Sequence, residues 1–105
     1  MEITKETVGG LRHGHCVAGT TRKQLTTLDI LLNKGVLIRA PGTTDPTPNT
    51  RPVWVGNSKV TADSNEGTGG MPLTPGSASF FPCERANDIY VVSTLDDQDL
   101  AWMAI

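Results

Sequence analysis

The sequence predicts an all-β protein, a compact antiparallel β-sandwich or jelly-roll-like barrel. Three observations carry that expectation. The apolar runs are short, and strand-length segments recur about every 8–12 residues. Seven prolines and eleven glycines in 105 residues cluster between those runs as turn signals. No stretch alternates strands with long amphipathic helices, which disfavours a doubly wound parallel sheet. The length suits one domain with one modest core.

Residues 1–18 read as an N-terminal arm or first strand, and residues 19–105 as the sandwich itself. Within these, 11–18 and 22–26 are the first two strand candidates. The stretch 26–35 competes as a helix, with Thr27 placed to cap it and Gly35 to stop it. Eight residues make a marginal helix, so a short turn or 3₁₀ element is expected there. Val36-Leu37-Ile38-Arg39-Ala40 is a clear strand, opened by Gly35 and closed by Pro41-Gly42. A long loop follows near 41–51, because Pro46 and Pro48 cannot donate to a ladder. The run 52–56 opens on Pro52, which suits an edge or a first strand position. A second loop near 62–70 holds Gly67, Gly69 and Gly70. Met71-Pro72-Leu73 then leads to the turn pair Pro75-Gly76. Strands at 77–83, 88–94 and 100–105 complete the set, with hydrophilic turns between them.

Three of these strands are apolar on both faces, whereas a strand with one wet face should alternate. Val36-Leu37-Ile38, Ile89-Tyr90-Val91-Val92 and the run from Leu100 to Ile105 all break the alternation. A chain this short cannot easily cover both faces of three strands. Leu100, Trp102, Met103 and Ile105 are therefore expected to meet another copy or another protein. Charge is nearly balanced at −2 overall. That speaks against nucleic acid as a partner, since phosphate binding needs a dense positive field. Residues 1–52 carry seven basic and four acidic side chains, residues 53–105 two and seven. A basic arm or face docking on an acidic surface is one reading of that split, and chance over a short chain is the other. No apolar run reaches the ~20 residues of a membrane span, so no membrane partner is expected. No secretion signal is legible, and two cysteines make no disulfide framework. The expectation is a soluble protein with free thiols, matured in a reducing cytoplasm.

No catalytic constellation is present: no nucleophile elbow, phosphate loop, zinc-protease helix or paired-cysteine motif. No enzyme activity and no cofactor are expected. His13-Gly14-His15-Cys16 is the one group with ligand-like spacing. On a strand His13 and His15 share a face, and Cys16 or Cys83 could add a soft ligand. Against zinc stands the lack of a second paired motif. Nothing identifiable would activate Cys16 as a nucleophile. Asp96, Asp97 and Asp99 read as a solvated turn, without the glycine and distal glutamate of a calcium loop. Of Phe80-Phe81, one ring should face out, which gives a sugar-binding module a single exposed platform.

Several short motifs, in order, carry a resemblance over residues 19–105. They are Lys34-Gly35-Val36-Leu37-Ile38-Arg39-Ala40, then Asn49-Thr50-Arg51-Pro52-Val53-Trp54-Val55-Gly56 with Val60-Thr61. Gly70-Met71-Pro72-Leu73-Thr74-Pro75-Gly76-Ser77 follows, and Ile89-Tyr90-Val91-Val92-Ser93-Thr94 with Leu100-Ala101-Trp102 closes the set. This order resembles small β-sandwich bacteriophage virion proteins, of the capsid decoration (cement) or head/tail accessory type. The loop at 41–50 and the loop at 63–70 are longer than the resemblance leads one to expect. The resemblance implies a virion protein assembled in the cytoplasm of a host bacterium. Its partner would be the major capsid protein or another virion protein. It also implies a homo-oligomer, with a trimer at a symmetry axis favoured. A head–tail, tail or baseplate accessory protein and a glycan-binding module for host adsorption remain the alternatives. An arm formed by residues 1–18 would pair with a neighbouring strand, and three arms would add avidity.

Overall fold

The computed structural model describes residues 12–105. Eight strands form in chain order: β1 (Arg12–Ala18), β2 (Lys23–Gln24), β3 (Gly35–Arg39), β4 (Val53–Gly56), β5 (Met71–Leu73), β6 (Ala78–Pro82), β7 (Tyr90–Ser93) and β8 (Gln98–Ala104). They make two four-stranded antiparallel sheets, ordered β1-β8-β3-β6 and β2-β7-β4-β5. The pairs β1·β8, β2·β7, β3·β6 and β4·β5 nest like one long hairpin rolled on itself. Added ladders β3·β8 and β4·β7 join the pairs into sheets. This is the strand order of a jelly roll, and the β-sandwich expected from the sequence is what forms.

Alternation explains which residues go inside. Val36 and Ile38 of β3, Val53 and Val55 of β4, Val91 of β7 and Leu100 and Trp102 of β8 point between the sheets. Leu25, Ile30, Leu73 and Ala86 join them from the connections and from β5. Each large aliphatic side chain buried there contributes about 1.5–3 kcal/mol by leaving water.

Two local expectations need correction. The stretch 26–35 is neither helix nor 3₁₀ turn. Its backbone is satisfied by a distant segment: Leu32 N–H donates to Glu84 O at 2.9 Å, and Ala86 N–H to Ile30 O at 3.0 Å. Within it Ile30 N–H donates to Leu28 O at 3.0 Å, a tight i→i+2 turn rather than an i→i+3 ladder. The 3₁₀ turn sits instead at Ala86–Asp88. Met71-Pro72-Leu73 is a strand, not merely a lead-in to a turn. Pro72 is tolerated because β5 is an edge, with β4 on one side only. Residues 12–18 are a first strand paired along their full length with β8, while any arm at 1–11 lies outside the described residues.

The long loops are tied down by side-chain amides. Buried Gln98 accepts from the N–H groups of Thr50 (2.9 Å) and Arg51 (3.0 Å). Asn49 exchanges two bonds with the backbone of Asp99, at 2.8 and 2.7 Å. These amides stand in for a ladder and hold the 41–51 loop to the start of β8. The loop after β4 folds over the outer face of its own sheet. There Val60 is buried, and a Cβ on Gly56 or Gly70 would sit within 2.8 Å of it. Arg22 Nη1 donates to Val60 O at 3.3 Å and fastens that flap.

Candidate interaction surface

The outer face of the β1-β8-β3-β6 sheet is built from the odd-numbered positions of β1, β8 and β3 and the even-numbered positions of β6. Register aligns His13, Met103, Leu37 and Phe80 as one row across all four strands. A second row aligns His15, Ala101, Arg39 and Ala78. Leu37, Met103, Phe80 and Ile105 are each 38–43% exposed. The Phe80 ring leans over Gly35, where a Cβ would stand 2.8 Å from its Cζ. Ile105 is bonded to Gly35 through both its N–H (2.8 Å) and its carbonyl (3.2 Å). The four side chains thus gather at one end of the sheet, exposing together roughly 300 Å², the size of the largest apolar patch on an ordinary monomer. Beside them a groove of about 270 Å³ runs over Ala101 between His13 and His15 on one wall and Leu37 and Arg39 on the other.

The electrostatics of this face are muted. Arg39 Nη2 meets Asp45 Oδ2 at 2.8 Å, so the charge nearest the groove is compensated. Asp45 also accepts from the Gly42 N–H at 2.7 Å. The Arg39 hydrogen bond, then that backbone bond, hold the Asp45 carboxyl below its ordinary range. The opposite sheet differs: its outer Val92 is buried, and the flap carrying Val60 lies over that face.

Two of the four residues expected at an interface lie elsewhere. Leu100 is 0% and Trp102 6% exposed, both packed in the core. They cannot be contact residues of the folded chain, because β8 is a central strand and its even positions point between the sheets. Met103 and Ile105 do lie on the exposed face. Leu37 and Phe80 complete the patch, and the odd–even register of 36–38 against 100–105 is the signal that identifies Leu37.

The histidine–cysteine group does not form a ligand set. His13 and His15 share the solvent face, as their spacing predicts, but Cys16 points into the core. Its thiol donates to Gln24 O at 3.8 Å, and burial pushes its pKa up, partly countered by Lys23. Cys83 is half-buried after β6, and its thiol is likewise pushed up by burial. Among the described residues no group of three His, Cys, Asp or Glu side chains is arranged to hold a metal ion. Asp96 serves locally instead, accepting from the Thr20 N–H at 2.9 Å. Phe80 faces out and Phe81 packs against the core, the split their alternation predicts. No described helix is long and apolar enough to cross a membrane.

Comparison with protein families, with characterised proteins and with solved structures finds no match to this chain.

Proposed function

We propose that this chain is a structural protein of a bacteriophage particle, a capsid decoration (cement) protein that binds the shell of major capsid protein. The observation that carries the reading is the asymmetry of the two sheets. One sheet is overlaid by its own flap, while the other presents a row of apolar side chains to solvent. The largest apolar patch on a protein is often functional, and a partner surface covering it is the use this reading assigns. The compensated Arg39–Asp45 pair suits a partner surface that is apolar and close to neutral. The ordered motifs between Lys34 and Trp102, resembling small virion proteins, supply the class of partner.

Size argues for attachment in many copies. A patch of about 300 Å² is well below the ~800 Å² per partner of a stable pairwise interface. Attachment to a lattice that repeats the site, by a protein that itself associates, multiplies weak contacts through effective concentration. The jelly-roll order is shared by viral capsid domains, lectins and cupins, so it is compatible with the reading without selecting it.

Cryo-electron microscopy of intact particles tests the proposal. The expected result is density for this chain on the outer shell, repeated at the capsid symmetry axes. Density confined to the neck, tail or baseplate would move the protein to the accessory class. Particles lacking the chain altogether would end the virion reading.

A further inference from the structure

We propose that β6 pairs with β6 of a second copy, antiparallel about a two-fold axis at Ser79, so that two β1-β8-β3-β6 sheets become one sheet of eight strands. The inference concerns self-association and stands whether or not the capsid is the final partner.

It starts from charge. Residues 67–83 hold no Asp, Glu, Lys or Arg, the longest such run in the chain. That run contains β5 and β6, the edge strands at one margin of the roll, joined by residues 74–77 alone. The margin is also open. Met71 shares a strand face with buried Leu73, yet it is 57% exposed. Folded proteins protect strand edges with charge, especially lysine, with proline or with short length. β5 is protected by its three residues and by Pro72 at their centre. β6 has five residues, no charge, and a proline only at its end.

Hydrogen-bond parity shows what β6 offers. Ala40 N–H donates to Ser77 O at 2.9 Å, one step beyond the Arg39–Ala78 pair. Antiparallel ladders alternate bonded and non-bonded pairs, so Ser79 and Phe81 also spend their backbone groups on β3. Ala78, Phe80 and Pro82 therefore turn theirs outward. Among the described residues nothing bonds to the N–H and C=O groups of Ala78 and Phe80. Pro82 has no N–H to offer and takes the outward parity that an edge strand tolerates.

These groups match themselves. An axis at Ser79 sets Ala78 of each copy opposite Phe80 of the other, a bonded pair on either side of the axis. Every outward N–H then donates to an outward carbonyl of Ala78 or Phe80, with none left over. The neighbouring register, with its axis at Phe80, is poorer. It sets the Ala78 carbonyl against the Pro82 nitrogen and one Phe80 ring directly opposite the other. Opposed residues share a face, so the axis at Ser79 lets the exposed Phe80 ring meet the small Ala78 of its mate. No like charges are brought together, because the run is uncharged. The pair is isologous and closes at two copies. It lays the apolar row that ends at Phe80 beside its symmetry mate on one wide sheet face.

Sedimentation velocity of the full chain, from about 10 μM to about 1 mM, is the first measurement, since so small a contact gives a weak dimer. Hydrogen exchange reads the pairing itself. The Ala78 and Phe80 amides should gain protection as concentration rises, while those of Ser79 and Phe81 stay protected throughout. Ala78→Pro removes one outward donor and no bond to β3. It is expected to be monomeric across the range, with its circular dichroism unchanged. Residues opposed at the axis form a non-bonded pair about 4.5 Å apart at Cα, within disulfide reach. Ser79→Cys should therefore cross-link to a covalent dimer under oxidised glutathione, in a background where Cys83→Ser removes the half-buried native thiol. Phe80→Cys in the same background should not. A chain monomeric at every concentration overturns the proposal. So does a dimer whose Ala78 and Phe80 amides exchange freely, which would place association elsewhere on the surface. Cross-linking at Phe80→Cys in place of Ser79→Cys overturns the axis. Particle attachment is read separately, so neither proposal falls with the other.

Discussion

Position 14 shows how much one residue controls. Glycine weakens a strand interior, yet here a Cβ would stand 2.8 Å from Cζ2 of Trp102, so only the absence of a side chain lets the indole pack under β1. Gly14→Ala is expected to lose about 1–3 kcal/mol by overpacking, a drop of several degrees in Tm measurable by calorimetry. Asp45 gives the second residue-level expectation. Its carboxyl is held below its ordinary range by Arg39 and the Gly42 N–H. A depressed folded-state pKa stabilises the protein above the unfolded value of about 3.9, and that stability is lost as pH falls through the folded pKa. Asp45→Asn should therefore lower stability at neutral pH and make acid unfolding shallower, with the two proteins converging as pH falls through the folded pKa. Denaturant melts across that range check it; parallel curves would show that Asp45 does not contribute. At this scale the sequence was informative about faces and silent about depth. His13 and His15 share a surface as their spacing requires, but adjacency to Cys16 could not show that the thiol looks the other way into a core.

At the scale of elements, legibility followed the source of each segment's hydrogen bonds. β1, β3, β4, β6, β7 and β8 were readable because pairing and packing both impose a period of two. The stretch 26–34 was not, because its partners lie at 84–86, more than fifty residues away. β5 was hidden by Pro72, which reads as a breaker until its edge position is known. The flap at 57–70 was visible as a loop, but not its task. Val60 is held against Gly56 and Gly70, and Thr61 exchanges backbone bonds with Thr68 (2.8 Å) and Gly70 (3.2 Å). Asp63 accepts from the Asn65 N–H and the Thr61 hydroxyl, which keep its carboxyl below its ordinary range. Val60→Ala is expected to cost about 1–2 kcal/mol. It should also raise hydrogen exchange at Val91 and Val92 well before β3 and β8 respond. Uniform loss of protection across both sheets would mean that the flap is not a separable unit.

Among the described residues the molecule is a roll with one outer face covered by its own flap and the other bare, and strand order, which sequence patterning does not encode, decides which is which. Apolarity on both sides of β3, β7 and β8 was legible; its resolution into a flap on one sheet and an open patch on the other was not. That distinction separates stability from attachment. Leu37 and Met103 lie opposite each other on central strands with over a third of each exposed, so Leu37→Thr combined with Met103→Thr trims the apolar row without setting like charges face to face. Changes of this kind cost about 1 kcal/mol each. Ile38→Ala, one residue from Leu37 but facing the core at 0% exposure, is expected to cost about 2–5 kcal/mol. If the bare face is the attachment surface, the double threonine variant stays folded, melting a few degrees below the wild type, yet fails to co-sediment with particles lacking the native protein. Ile38→Ala should then bind normally below its reduced Tm, since its outer face is unchanged. Retained attachment by the double variant would shift the contact to a loop or a strand edge and leave the apolar row without a partner.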